Sequence, residues 1–262
     1  MNRLFAIGWY AILLLVMHSC QSPEKDSMTL KSPEGTHQID IYLDASGRAG
    51  YRVFRNGKTV IDSSGLGFEF KDQPALISGL RWVESSERSE DETWEMPWGE
   101  QRKVRNHYTA ARVVLEEQET PGRQLILHFR AYEDGVAFRY EFPEQPGRDT
   151  LLITEERTEF QLTGDHMSWW IPGDWDIYEH LYNTTRVSEI DALSKRDHPN
   201  LASTYIRENA VNTPVTMRTD EGLHLSFHEA DLTNYAGMTL KVDGDNLKLS
   251  SSLVAVSYTH LR

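Results

Sequence analysis

What most constrains this chain is its punctuation: short alternating runs of apolar and polar residues, cut at close intervals by turn dipeptides. Gln38-Ile-Asp-Ile-Tyr-Leu alternates, and Gly47-Arg-Ala-Gly50 turns into Tyr51-Arg-Val-Phe-Arg. Asn56-Gly57 then supplies the positive φ that a tight hairpin needs before Lys58-Thr-Val-Ile. The same signal predicts strands over 67–70, 80–84, 108–116, 124–132, 136–142, 151–154, 158–162, 215–219, 223–228 and 238–242, with a last one over 247–256. Pro121-Gly122, Asp134-Gly135, Pro146-Gly147, Glu221-Gly222 and Asp243-Gly244 mark turns between them. Helical spacing is weak, and only Ser188 to Lys195 reads as a short helix, with Ser188 as its N-cap. Many strands without βαβ alternation predict an all-β, mostly antiparallel sandwich. Two longer stretches, 85–106 and 165–212, read as irregular loops, the usual place for function on a rigid scaffold.

The ends set the compartment. Arg3 followed by the apolar run Leu4 to Met17 is a processing leader, too short for the ~20 residues of a membrane span. It closes on Ser19-Cys20, and Cys20 is the only cysteine of the chain. A small residue before a lone cysteine at that place resembles the lipobox of bacterial lipoproteins. Residues 1–20 are therefore expected to be a lipoprotein-type signal peptide and 21–27 a tether, with the protein exported to the periplasm or outer membrane. The membrane would then be met through a lipid anchor alone. With no cysteine left for a disulfide, residues 28–256 must be held by an apolar core. A formal net charge of −13 argues against nucleic acid as a partner. Residues 257–262 end the chain without a terminating pattern and are expected to be a non-native tail.

Two segments concentrate carboxylates and aromatics without keeping a strand or helix period. One runs Trp169-Trp170-Ile-Pro-Gly-Asp174-Trp175-Asp176-Ile-Tyr178-Glu179-His180-Leu-Tyr182, the other Phe227-His228-Glu229-Ala-Asp231-Leu-Thr-Asn234-Tyr235. Flat rings beside fixed carboxylates suit a sugar, or a hard cation held by oxygen ligands.

These segments, with Asp91-Glu-Thr-Trp94-Glu-Met-Pro-Trp98-Gly99-Glu100, Arg105-Asn106-His107-Tyr108 and Phe129 to Gln145, resemble the N-terminal domain of glycoside hydrolase family 97, a family of α-glucosidases and α-galactosidases. The resemblance implies a β-supersandwich of the galactose-mutarotase-like kind, followed in complete members by a (β/α)8 barrel. It implies a Ca2+ cofactor, an α-linked oligosaccharide substrate, and catalytic carboxylates carried by the barrel, which lies outside this chain. This piece would supply a pocket wall and one calcium ligand, and would be inactive alone. By the same resemblance Glu179 is the expected calcium ligand and Trp170, Tyr178, His228 and Glu229 are expected to meet the sugar. Glu229 is also legible as a carboxylate holding backbone donors at a strand end, and His228 as a structural histidine. Glu179 and Glu229 could form an acid/base pair, but the resemblance places that work in the barrel. Trp94, Trp98, Arg105 and His107 read as ordering the first long loop at an inter-domain surface. The alternative from another class is a free-standing carbohydrate-binding or mutarotase-like sandwich.

Overall fold

The computed structural model describes residues 26–145, 150–196, 204–233 and 235–254. The leader, nearly all of the tether, the Pro146-Gly147 turn, Asn234 and the tail at 257–262 lie outside the described residues. The strands are β1 (Ser27–Lys31), β2 (His37–Leu43), β3 (Ala49–Arg55), β4 (Lys58–Gly65), β5 (Phe68–Phe70), β6 (Leu80–Glu95), β7 (Lys103–Glu117), β8 (Gln124–Ala131) and β9 (Val136–Glu141). They continue with β10 (Ile153–Glu156), β11 (Glu159–Leu162), β12 (Met167–Trp170), β13 (Asn183–Arg186), β14 (Ala210–Asn212), β15 (Val215–Arg218), β16 (His224–Phe227), β17 (Met238–Asp243) and β18 (Lys248–Leu253).

An eight-stranded antiparallel sheet runs in the order β1-β2-β3-β4-β11-β18-β17-β14. It packs on the four-stranded sheet β6-β7-β8-β9. A second four-stranded sheet, β13-β12-β15-β16, and a two-stranded one, β10-β5, complete the architecture. The all-β sandwich expected from the punctuation is therefore the observed fold. Alternation decides which residues enter the core. Ile39 faces Val53 and Ile41 faces Tyr51 across β2 and β3; Ala111 faces Phe129, Val113 faces Leu127 and Leu115 faces Leu125 across β7 and β8. All ten are buried in one cluster. Across the interface Tyr51 meets Phe129 and Phe138 with ring centroids 5.9 and 5.4 Å apart, and its hydroxyl donates to the Glu159 carbonyl at 2.8 Å. Asn56 and Gly57 take φ of 49° and 77°, the mirror-image turn expected between β3 and β4.

Three expectations are corrected. Residues 85–106 are no irregular loop: β6 and β7 pair from Leu80 opposite Glu117 to Glu95 opposite Lys103, with one bulge between Trp82 and Glu84, and run beyond the reach of β8. The run is polar on both faces because it is a two-stranded arm exposed to water, so no hydrophobic period marks it. Its tip carries Trp98, which is 81% exposed. The helix expected at Ser188–Lys195 breaks into two 3-10 turns, Val187–Glu189 and Leu193–Lys195, with Arg186 rather than Ser188 at the first cap. Asp165 takes the Ser188 backbone N–H and hydroxyl at 2.9 and 2.7 Å, so that side chain cannot cap a helix of its own. Within 165–212, finally, three strands form: β12 and β13 pair with each other, and β15 and β17 reach β12 and β14 from later in the chain.

Glu156, at the end of β10, is the conspicuous polar group near the core. Thr158 Oγ1 and Tyr235 Oη donate to its two oxygens at 2.6 and 2.9 Å. Burial pushes this carboxyl above the usual range, and the nearby Glu229 adds to the rise, against the two donors. A raised folded-state pKa gives stability that is full below the unfolded value of about 4.3 and is lost as pH rises through the folded value. Glu156→Gln should therefore flatten the fall in Tm between about pH 4 and about pH 8, and at the upper end match or exceed the parent. A melting series at both pH values checks it. For the core, Phe129→Ala should cost about 3–5 kcal/mol, read as a lower urea midpoint at unchanged slope.

Candidate functional site

The two chemistry-bearing segments leave the β13-β12-β15-β16 sheet from the same end. Trp169 stands opposite Thr216, Thr216 opposite Ser226, and Val215 opposite Phe227. Trp170, the last residue of β12, therefore lies in the row of Val215 and Phe227. The loop after β12 and the loop after β16 both start there, although their sequences are far apart. This is the main thing the fold does for the site.

The first loop is built on Asp174. Isolated bridges tie Pro172 to Val211 and Asp174 to Tyr205. The Asp174 side chain is fully buried and its Oδ1 accepts from the backbone N–H groups of Asp176 and Ile177 at 2.9 and 3.2 Å, and from the Thr204 hydroxyl. Its Oδ2 lies 3.3 Å from His180 Nε2, and its own N–H donates to Asn212 Oδ1 at 3.0 Å. Burial pushes the Asp174 carboxyl up, but Thr204, the Asp176 N–H, His180 and the Ile177 N–H together hold it below the ordinary carboxylate range. A carboxylate so placed bends the chain through an Asx turn and closes the loop from beneath.

Above this clamp the loop is open to water. Trp175, Tyr178 and Tyr182 are 49%, 67% and 63% exposed, and Leu181 is more exposed still. Glu179 stands among them, exposed, and among the described residues its carboxylate has no hydrogen-bond or ion-pair partner. Exposed aromatic rings beside an uncommitted carboxylate in the same loop mark a surface suited to a ligand or a partner.

The expected site residues separate into two kinds. Tyr178 and Glu179 lie on the open loop. Trp170 does not: it is 1% exposed and its Nε1 donates to Thr185 Oγ1 at 2.9 Å. It anchors β12 to β13 and has no face to offer a sugar, which corrects the expectation for it. Trp169 takes the other side of the strand, stacked on His224 at 6.2 Å. Glu229 is half-buried and its Oε2 accepts the Met238 N–H at 2.9 Å, the role of a carboxylate holding a backbone donor. His228 is exposed, with Nδ1 3.3 Å from the Glu229 carbonyl. Sequence reading missed the Asp174–His180–Thr204–Asn212 frame. The available signal was an aspartate directly after Pro172-Gly173, a turn-starting position.

A calcium ion asks for six to eight oxygen ligands. Among the described residues no group of three or more His, Cys, Asp or Glu side chains could hold a metal. Glu179 fits as one hard oxygen ligand of a shared site, and no more.

The family model for the N-terminal domain of glycosyl hydrolase family 97 matches residues 30–257. The chain belongs to this family. A retaining α-galactosidase of Bacteroides thetaiotaomicron is 21% identical over 252 residues, covering 92% of this chain and 34% of that protein. A family 97 enzyme from Pseudoalteromonas sp. strain K8, solved in complex with panose, superposes with a TM-score of 0.75 at 31% identity, over 86% of this chain and 32% of that one. The same enzyme solved with acarbose gives a TM-score of 0.74. A β-arabinopyranosidase structure at 19% identity and a TM-score of 0.70 shares the fold. The chain thus spans about a third of the length of these relatives, and it corresponds to their N-terminal domain.

Asp174→Ala leaves His180, Thr204 and two backbone N–H groups without their acceptor. It should cost about 2–4 kcal/mol and speed amide exchange across 175–182 well above the rest of the sheet. Because the Asp174 pKa is lowered, its contribution is complete above the unfolded value of about 3.9 and disappears as pH falls through the folded value. Loop protection measured by exchange should accordingly be lost in acid sooner than protection of β7 and β8.

Proposed function

We propose that this chain is the N-terminal part of a calcium-dependent α-glycosidase acting on α-linked oligosaccharides, an α-glucosidase or α-galactosidase. Its role is to form one wall of the substrate pocket and to give one ligand to the metal. The observation that carries this reading is the clamped loop: Asp174 fixes from below a surface on which Glu179 is uncommitted and Trp175, Tyr178 and Tyr182 are exposed. Membership of the family, and relatives about three times this length, supply the context.

In this reading Glu179 presents a carboxylate oxygen to the cation, and Tyr178 offers a ring face to the sugar or to the barrel. Bound calcium supplies a hard positive charge that orients and polarises oxygen atoms of the substrate. The chain's own residues orient and exclude water: His180 and Asp174 hold the loop, and the rings cover apolar sugar faces. His228, at the same end of the sheet, is free to offer a ring nitrogen to a sugar hydroxyl. Acid and base chemistry belongs to carboxylates of the barrel. The leader at 1–20 and Cys20 support export and a lipid anchor, placing the enzyme in the periplasm or on the outer membrane.

In the chain extended to the length of its relatives, Glu179→Gln should raise the calcium concentration for half-maximal binding by at least about tenfold, a loss of about 1.4 kcal/mol. Calcium titration by calorimetry reads this directly. An unchanged titration would remove Glu179 from the site and with it the central assignment.

A further inference from the structure

In this acid-rich chain, with 40 Asp and Glu against 27 Lys and Arg, arginines are usually paired. Arg48, Arg52, Arg81, Arg105, Arg123 and Arg157 each hold a carboxylate. The outer face of the β6-β7-β8-β9 sheet departs from that habit. Strand register aligns Arg88, Ala110, Arg130 and Ala137 in one cross-strand row, and Ser86, Arg112, His128 and Arg139 in the next. Each of the four strands contributes one arginine. All lie on the side away from Leu127 and Phe129, which face the core. Strands ~4.8 Å apart and rows ~7 Å apart place the four stems in a zigzag about 14 Å across.

The arrangement concentrates charge without opposing like charges. Arg88 and Arg130 each face Ala110, and Arg112 faces Ser86, so no two arginines are directly paired, the position where repulsion is worst. The small side chains leave low ground between the guanidinium groups. Arg130 is pre-set: its guanidinium lies 4.5 Å over the Tyr108 ring and donates to Tyr132 Oη at 3.3 Å. Arg88 pairs with Glu90, and His128 with Glu141. Among the described residues Arg112, Arg130 and Arg139 have no ion pair. The next row along, Glu84, Val114, Ile126 and Glu141, closes the patch with acid.

We propose that this face binds a polysaccharide bearing anionic groups, taken in turn by Arg139, Arg130 and Arg112. A zigzag over four strands fits a run of anions better than a single one, and a guanidinium meets carboxylate or sulfate through two N–H groups at once. With a screening length of about 8 Å at physiological salt, an anion on this face senses these arginines and not the distant carboxylates behind the net charge of −13. The choice of a polysaccharide among polyanions rests on the glycosidase reading above; the arginine face itself does not involve Glu179 or calcium.

The test uses the chain as it stands, on immobilised dextran sulfate, polygalacturonate and neutral dextran, with duplex DNA as a fourth surface. Retention on an acidic polysaccharide at about 50 mM salt is expected, falling about tenfold or more by about 200 mM. The variant Arg112→Gln/Arg130→Gln/Arg139→Gln should bind at least about tenfold more weakly at unchanged Tm, while Arg52→Gln/Arg55→Gln on the other sheet should bind as the parent does. No retention above neutral dextran, or equal retention of the triple variant, overturns the site. Tighter binding to DNA than to both acidic polysaccharides overturns the ligand class and leaves the glycosidase reading untouched. Loss of binding in a folded chain extended to the relatives' length shows the face to be an internal contact, and also overturns it.

Discussion

Everything in this domain hangs on one dry contact, where Tyr51 of the eight-stranded sheet meets Phe129 and Phe138 of the four-stranded one. No disulfide within the chain assists it, since Cys20 is its single cysteine. The eight-stranded sheet is assembled from distant parts of the chain: β4 pairs with β11, and β11 with β18. Its centre is therefore not closed until Lys248–Leu253 is in place. Such non-local pairing brings loop-closure cost before reward, so a slow, cooperative folding transition is the natural consequence.

Two buried carboxylates show how donor count decides charge. Glu156 has two hydroxyl donors and a neighbouring Glu229, and burial wins, so its pKa rises. The Asp174 side chain is also shut away from water, but two backbone N–H groups, a hydroxyl and a histidine converge on it, and its pKa falls. For Asp174 the four donors together outweigh the desolvation of its charge, and for Glu156 the two do not. The first carboxylate is a compromise beside the core, favoured when protonated. The second keeps its charge and uses it to bend a loop, so the two respond to acid in opposite directions.

The sandwich was legible because its signals are local. Period-two alternation marked β2, β3, β8, β11 and β17, and Asn56-Gly57 marked its hairpin by a backbone conformation few other residues tolerate. The arm of β6 and β7 was not legible, because a strand wet on both faces has no reason to alternate. Trp170 was misjudged for a related cause: in a run of aromatics, sequence gives no depth, and β12 turns one tryptophan inward and its neighbour outward. The Asp174 frame draws on Thr204, Tyr205 and Asn212, which local sequence cannot connect to it. Charge placement on a face was equally hidden, since the arginine rows exist only once register is known.

The clamped loop has a physical implication for how a cation site can be divided between parts of a protein. A carboxylate that must wait for its metal costs little in water but fixes nothing, and a flexible one would lose much of its binding energy to ordering. Here the ordering is done beforehand by a different carboxylate, Asp174, sunk beneath the loop and satisfied by its own donors. Glu179, exposed and without a hydrogen-bond or ion-pair partner among the described residues, lies five residues beyond that clamp. On the proposed reading, that separation lets one ligand from this domain join ligands from a barrel with little loss to disorder. The metal then ties the two units together by mass action, stabilising the joined form in proportion to its own binding. On the same proposed reading, the exposed rings of Trp175, Tyr178 and Tyr182 are the apolar surface that the barrel and the sugar would cover.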